Sequence, residues 1–154
     1  MRKAAKSPAP EETPAGLAYD GLDELLGFRI RFAHTAMYRD FAASLEDLDL
    51  TQKQVGSLWL ISANPGVSQA ALAAALSMDR ATMMSIIDRL ENGGLVVRKR
   101  SVSDRRRQEL HLTPAGQKTL AKARNAIARH ERRFASRLSA DEFTRLVSAL
   151  RKIA

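Results

Sequence analysis

The chain has 154 residues, close to the size of one ordinary domain, so its length favours a single compact core. It carries 25 Lys plus Arg against 17 Asp plus Glu, a net charge of +8 that favours polyanionic partners such as nucleic acid. The lack of cysteine excludes disulfides, thiolate metal sites and thiol-based redox switches.

Hydropathy points to a soluble, cytoplasmic protein with no membrane partner. No apolar stretch approaches the roughly 20 residues that a membrane span requires. The opening segment is polar and has no signal-peptide apolar region. We expect residues 1–18, rich in proline and charge, to form a disordered tail.

The first two predicted helices follow this tail. From Asp20 to Leu45, apolar residues recur at helical spacing, which predicts one long amphipathic helix. A second helix begins at Thr51, whose side chain and that of Gln54 can form a capping box. The Asn-Pro-Gly sequence at 64–66 ends it.

Two short helices come next, and the turn between them is tight. Ser68 is the predicted N-cap of a helix that runs to Leu76, and another helix starts near Asp79 and stops at a Gly-Gly pair, residues 93–94. A turn this short sets the second helix across the first. The arrangement is typical of a helix-turn-helix, whose second helix can enter a major groove.

A hairpin and two further helices complete the predicted order of four helices, a hairpin and two helices. Residues 95–97 and 109–113 have the character of paired strands. Thr113-Pro114 starts a helix that we expect to reach about Leu138. Ser139 and Glu142 form another capping box, which opens a last helix through Ile153. The fold class is therefore mainly α with a small β-hairpin.

The fourth helix has two contrasting faces. Met83, Ile86, Ile87 and Leu90 form a face suited to burial. The opposite face carries short side chains suited to base edges and basic residues suited to phosphates: Arg80, Ala81, Thr82, Met84, Ser85 and Arg89. The alternative interpretation is an ordinary helical hairpin with a solvated polar face.

The predicted hairpin concentrates positive charge. Six basic residues fall within ten positions: Arg98, Lys99, Arg100, Arg105, Arg106 and Arg107. Such a tip repels itself unless phosphates neutralise it, and an apical arginine can enter the narrow, negative minor groove. Asp104 then makes sense as an orienting partner of Arg106. A solvated charge run is the alternative.

Four segments resemble the MarR family of bacterial transcription regulators. Residues 68–98, SQAALAAALSMDRATMMSIIDRLENGGLVVR, resemble its helix-turn-helix with the typical exit at Arg89, Leu90, Glu91, Gly94, Leu95 and Val96. Residues 101–116, SVSDRRRQELHLTPAG, resemble its wing, with Asp104, Arg106, Leu112, Thr113 and Gly116 in the family pattern. The helix before the helix-turn-helix has its counterpart in residues 50–61, LTQKQVGSLWLI. The family's terminal helix resembles residues 138–153, LSADEFTRLVSALRKI, so the likeness covers roughly residues 20–154.

The resemblance implies a homodimer with interlocked first and last helices and two winged helix-turn-helix heads on a pseudo-palindromic operator in double-stranded DNA. Residues 19–48 and 114–154 would then form the helical dimerisation region, and residues 49–113 the DNA-binding domain. Ala81, Thr82, Met84 and Ser85 would occupy the exposed sites of the recognition helix, next to Arg80. Arg106 would enter the minor groove with Asp104 as its partner, and Arg89, Arg98, Arg105 and Arg107 would lie near phosphates. Met84 and Ser85 depart from the threonine and arginine of many relatives, so DNA shape could carry part of the specificity.

The resemblance also implies a small effector bound between the dimerisation helices and the DNA-binding domain. An aromatic acid or its coenzyme A thioester is the expected class. The candidate residues are Arg29, Arg31, His34, Tyr38 and Trp59, of which His34 and Tyr38 are four apart on one helix face. Ordinary packing or solvation is the alternative for each. Because the chain has no cysteine, it would not sense its effector through a thiol, as peroxide-sensing relatives do.

Other function classes find little support in the chain. Its three histidines, at positions 34, 111 and 130, lie in different predicted elements, and no metal-ligand spacing or nucleophile motif accompanies them. We therefore expect neither an enzyme nor a metal or cofactor site. A nonspecific architectural DNA- or RNA-binding protein is the stronger rival, but the basic hairpin contains no aromatic residue for stacking on single strands. The favoured function is a sequence-specific, ligand-responsive repressor of transcription.

Overall fold

The computed structural model describes residues 16–101 and 108–153. The chain divides into two compact units, one ending at Ala36 and the other beginning at Met37. The predicted disordered tail, residues 1–18, therefore lies almost entirely outside the described residues.

The first unit contains a short 3-10 helix, Leu22–Glu24, and the start of helix α1, Leu26–Ser44. The prediction of one helix from Asp20 is wrong at its N-terminal end. Asp20 and Gly21 have φ of 47° and 83°, and Leu25 is extended, so the backbone cannot continue one helix through them. The Phe28 ring contacts those of Tyr19 and Phe32 at centroid distances of 5.3 and 4.7 Å.

The second unit contains the remaining elements in the predicted order. A 3-10 helix, Glu46–Leu48, follows α1. The other helices are α2, α3, α4, α5 and α6, at Gln52–Ala63, Gln69–Ala75, Arg80–Asn92, Pro114–Ala135 and Ala140–Ile153. Strands β1, Val96–Arg100, and β2, Gln108–Leu112, lie between α4 and α5. The winged helix-turn-helix prediction is confirmed.

Side-chain caps set the helix starts where the sequence predicts them. The Thr51 hydroxyl accepts from the Gln54 amide while the Gln54 side chain accepts from the Thr51 amide, which completes the capping box. Ser68, Asp79 and Thr113 each accept from a backbone amide three residues later. The predicted Ser139–Glu142 box is also present.

The end of α5 differs from its prediction. The helix stops at Ala135, three residues before the expected Leu138. The Arg137 and Leu138 amides donate to carbonyls three residues back, at 3.1 Å each. The last turn therefore tightens into 3-10 geometry, as helix ends commonly do.

The hairpin pairs β1 with β2 in antiparallel register, from Val96 opposite Leu112 to Arg100 opposite Gln108. An isolated bridge joins Val67 to Leu110 on the far side of β2. Residues 102–107, which link the two strands, lie outside the described residues. Strand β2 is thus paired on one side with β1 and, at Leu110, on the other side with the loop before α3.

One apolar core holds these elements together. It joins side chains of α2, α3, α4, the hairpin and α5: Leu58, Ile61, Leu72, Ala73, Met83, Ile86, Ile87, Leu90, Val96, Leu110 and Leu120. All four residues predicted to form the buried face of α4 belong to it. A second cluster packs Leu45 and Val55 against Ala123 and Ala126 of α5. The outward face of α4 is therefore fixed by packing on the inward one.

Within residues 16–101 and 108–153, no single helix has both the length and the apolar character to cross a membrane. Only α3 and α4 taken together meet that test, and the axes of these two helices differ by 116°.

Replacing Gly116 with alanine should destabilise the fold. An added Cβ would lie 2.0 Å from the Leu95 carbonyl oxygen, a backbone atom that cannot move aside freely. We expect the free energy of unfolding in denaturant titrations to fall by about 1–3 kcal/mol, as for other overpacked sites. Gly27→Ala is the matched control, since nothing lies within 4 Å of its added methyl. Equal stabilities of the two variants would contradict the close packing of α5 on Leu95.

Candidate nucleic-acid interface and ligand cavities

The outer face of α4 exposes Arg80, Ala81, Met84, Ser85 and Arg89, and Thr82 is half-buried. All six were predicted from the sequence to contact DNA, and α4 displays them together because its opposite side is in the core. Ala81, Thr82 and Ser85 have short side chains, whereas Met84 and the two arginines have long ones. The face can therefore approach a surface closely while the arginines reach further.

Thr82 is chemically constrained by the N-cap of α4. Its hydroxyl donates to Asp79 Oδ2 at 2.6 Å, and its amide donates to Oδ1 at 2.8 Å. These hydrogen bonds from Thr82, the hydroxyl first, hold the pKa of the Asp79 carboxyl below its ordinary value. A hydroxyl has one hydrogen to donate, so Thr82 can offer a ligand only its oxygen lone pairs.

A groove runs between α4 and the first turn of α2. Its volume is about 380 Å³, and it is lined by Thr51, Lys53 and Gln54 of α2 together with Ala81, Thr82, Ser85, Ile86 and Arg89 of α4. Lys53 is exposed beside this face. Lys53 was not predicted from the sequence, because the juxtaposition of the two helices is a tertiary effect.

Arg98 on β1 is held by partners on two helices. Its guanidinium contacts Glu91, lies 2.5 Å from Asp88 Oδ1, and reaches Gln69 Oε1 at 3.5 Å. Partial burial alone would lower the pKa of Arg98, but the two carboxylates outweigh it and raise the pKa. Its charge is neutralised inside the chain, and its predicted phosphate contact stays a prediction.

The rest of the basic hairpin is only partly described. Lys99 and Arg100 at the end of β1 are exposed. Asp104, Arg105, Arg106 and Arg107 lie outside the described residues, so their roles stay predictions.

The predicted effector residues fall in both units. Arg29, Arg31 and His34 are exposed on the first unit, where Arg29 lies 3.5 Å from Asp23. Tyr38 and Trp59 are half-exposed on the second unit, at 49% and 39%. Tyr38 and Trp59 line different cavities, so the structure does not bring these two candidates to one site.

Tyr38 borders the larger cavity, a cleft of about 770 Å³. The cleft lies between the end of α1, the start of α2 and the end of α4, and Phe41, Asp49, Arg89 and Thr119 are among its lining residues. Polar and apolar groups are mixed along its wall.

Trp59 borders a smaller crevice of about 380 Å³ that is mainly apolar. Phe41, Val55, Leu76 and Ile127 line it, with Gln52, Gly56, Leu60 and Ala75. The Arg124 guanidinium lies over the Trp59 ring, 4.7 Å from its centroid. Arg124 was not predicted from the sequence, since no local pattern pairs residues of α2 and α5.

The histidines serve separate local contacts. His130 is buried between Phe41 and Phe134, with its Nδ1 2.6 Å from Asp40 Oδ2. Arg133 also reaches that oxygen at 2.6 Å, and these hydrogen bonds, Arg133 first, hold the pKa of the Asp40 carboxyl below its ordinary value. His111 lies near Glu109 at 3.4 Å. Within the described ranges, no group of three His, Asp or Glu side chains is placed to hold a metal ion.

Comparison with known proteins places this geometry in a family. A model of the MarR family matches residues 48–107. A putative transcriptional regulatory protein for the hcr operon of Thauera aromatica is 37% identical over 154 residues, which span 99% of this chain and 92% of the relative.

Solved structures give the same result. The transcriptional repressor CouR, bound to a 23-mer DNA duplex, is similar with a TM-score of 0.84 and 39% identity over 89% of this chain and 97% of that one. CouR bound to p-coumaroyl-CoA has a TM-score of 0.81 and 36% identity over 89% and 96% of the two chains. The relatives are transcriptional regulators and repressors, and this chain belongs to the MarR family.

Proposed function

We propose that the protein is a sequence-specific, double-stranded DNA-binding repressor of transcription whose binding responds to a small aromatic acid or its coenzyme A thioester. The observation that carries the proposal is the outer face of α4. Core packing holds this face outward beside a basic hairpin, in the arrangement of a winged reading head. The duplex-bound CouR structure supports the same use of the fold.

In this proposal, residues 49–113 form the DNA-binding domain. The contacts to base edges and neighbouring phosphates come from Arg80, Ala81, Thr82, Met84, Ser85 and Arg89. Arg106 enters the minor groove with Asp104 as its partner, and Arg105 and Arg107 lie near phosphates. Lys53 borders the groove beside α4 and extends the positive surface onto α2.

The proposed operating form is a homodimer on a pseudo-palindromic operator, with residues 19–48 and 114–154 as the dimerisation region. The apolar side chains of α6 support a second copy as its partner. Phe143, Leu146, Leu150 and Ile153 are each 42–60% exposed and recur at helical spacing on one stripe. A stripe of this kind on a single chain favours association.

We place the effector site at the Trp59 crevice, which lies in the second unit. Ala75 of α3 and the C-cap residue Leu76 line this crevice, so a bound molecule would touch the helix-turn-helix directly. Arg124 supplies a cation at the aromatic wall, suited to a carboxylate or to the phosphates of a thioester. CouR bound to p-coumaroyl-CoA supports an aromatic acyl class of effector. Tyr38 on the larger cleft, and Arg29, Arg31 and His34 on the first unit, remain secondary candidates.

A titration of labelled DNA tests the proposed function. DNA from upstream of the protein's own gene should bind at least about a thousandfold more tightly than random duplex at physiological salt, as specific regulators do. Fluorescence anisotropy measures both affinities. Equal affinity for the two duplexes would favour an architectural binder and contradict sequence-specific repression.

Two substitutions should separate the kinds of DNA contact. Arg106→Ala should weaken binding to every duplex and reduce the slope of log affinity against log salt by about one charge. Ser85→Ala should relax the preference for operator over random duplex and leave the salt slope unchanged, because serine carries no charge. Anisotropy titrations over a series of salt concentrations measure both quantities. An unchanged affinity and slope for Arg106→Ala would refute the wing assignment.

Substitution of Arg124 should weaken the response to an anionic aromatic effector. Arg124→Gln removes the cation over Trp59, and a charge-assisted hydrogen bond is worth about 1.5–3 kcal/mol. Calorimetric titration with aromatic acids and their coenzyme A thioesters should therefore give at least about tenfold weaker binding. Arg129→Gln, at an exposed position of the same helix, is the charge-matched control. Equal effects of the two substitutions would move the site away from the crevice.

A further inference from the structure

We propose that Arg98 is a positioning residue that fixes the hairpin against the recognition helix, so that both elements meet the duplex in one arrangement. The inference rests on the proposed function. In it, Arg98, Asp88 and Glu91 raise DNA affinity indirectly, by orienting the hairpin, and do not contact the DNA.

The contacts of Arg98 join three elements. Arg98 lies on β1, Asp88 and Glu91 lie on α4, and Gln69 is the first residue of α3. Glu91 holds the strand twice, since one carboxylate oxygen accepts from the guanidinium and the other from the Arg98 backbone amide at 3.2 Å. A planar fork of N–H donors can engage several acceptors at once, which a lysine ammonium on a flexible stem does poorly.

The backbone part of this contact follows from the strand register. Arg98 is opposite Leu110, whose amide and carbonyl bond to Val67 and Gly66. Arg98 and Leu110 therefore form a non-hydrogen-bonded pair, and the Arg98 amide points away from β2. Glu91 satisfies that outward amide. The outer edge of β1 is thus attached to α4 through a side chain.

Burial and charge argue against a direct phosphate contact by this arginine. The Arg98 side chain is only 18% exposed, whereas Asp88 and Glu91 are 50% and 36% exposed. Two carboxylates surround one guanidinium, so the cluster carries excess negative charge. A cluster of that sign repels a polyanion, and its contribution to binding must come through geometry.

The core alone does not supply this geometry. Val96 and Leu110 bury the base of the hairpin, but the exposed end of β1 at Lys99 and Arg100 lies beyond them. Arg98 is the point at which that outer portion is attached to α4. Loss of the attachment leaves the core contacts in place and frees the angle between hairpin and helix.

Neutralising the two carboxylates gives a test with opposite expectations. Glu91→Gln and Asp88→Asn each remove a negative charge beside a polyanion, which by electrostatics alone tightens DNA binding. We expect the reverse, a loss of about five- to thirtyfold in operator affinity, corresponding to a coupling of about 1–2 kcal/mol. Arg98→Lys keeps the charge but not the fork, and should weaken binding by a similar factor. Asp47→Asn, an exposed acidic residue of the 3-10 helix after α1, is the control.

Amide hydrogen exchange provides a readout that needs no DNA. The amides of residues 96–100 should exchange faster in the Glu91 and Arg98 variants, while those of α2 keep their wild-type protection. Uniform loss of protection would show general destabilisation and overturn the proposal. Unchanged strand exchange, or tighter DNA binding by Glu91→Gln and Asp88→Asn, would also overturn it. Lack of operator preference in the wild-type protein would refute the proposed function instead. The loss of DNA affinity in the Asp88, Glu91 and Arg98 variants would then be measured on random duplex.

Discussion

The packing of α4 into the core is the constraint on which the winged helix-turn-helix depends. Met83, Ile87 and Leu90 are at most 1% exposed, and they belong to a core that also contains side chains of α2, α3 and the hairpin. Because an α-helix presents residues three and four apart on the same side, burial of these side chains leaves Ala81, Ser85 and their neighbours outward. The apolar pattern on the inner face of α4 therefore determines which side chains its outer face exposes.

A single threonine closes the base of the hairpin onto the next helix. The Thr113 hydroxyl donates to the Gly94 carbonyl at 2.6 Å and accepts from the Gly116 amide at 3.0 Å, while its own amide donates to the Leu95 carbonyl at 3.1 Å. Both ends of the hairpin thus meet the N-terminus of α5 at one residue. The attachment of Arg98 to α4, further along β1, and the bridge from Leu110 to Val67 add to this hold.

Local chemistry made most of the fold predictable. The Thr51–Gln54 capping box and the caps at Ser68 and Asp79 use contacts within one helical turn, so they can be recognised from residue spacing alone. The buried face of α4 was predictable for the same reason. The start of α1 was not, because the positive φ at Asp20 and Gly21 interrupts an apolar pattern that otherwise continues through it.

The site was harder to predict where its contacts are tertiary. Arg98 belongs to a basic run, and its charge alone suggested a phosphate contact, but partners on α3 and α4 surround it. The position of Arg124 over Trp59 likewise depends on how α2 meets α5. The exposed face of α4 could be anticipated from helical periodicity, whereas the residues that orient the hairpin required the packed structure.

The contact between Asp40 and the buried His130 has a consequence for the behaviour of the protein in acid. The folded state favours the Asp40 anion, because hydrogen bonds from Arg133 and His130 lower the pKa of that carboxyl. The stabilisation is present above the carboxyl's unfolded pKa and is lost as the pH falls through the lower folded value. Protonation then weakens the junction of α1 with α5. Acid would therefore weaken the helical framework at a place remote in sequence from recognition helix α4.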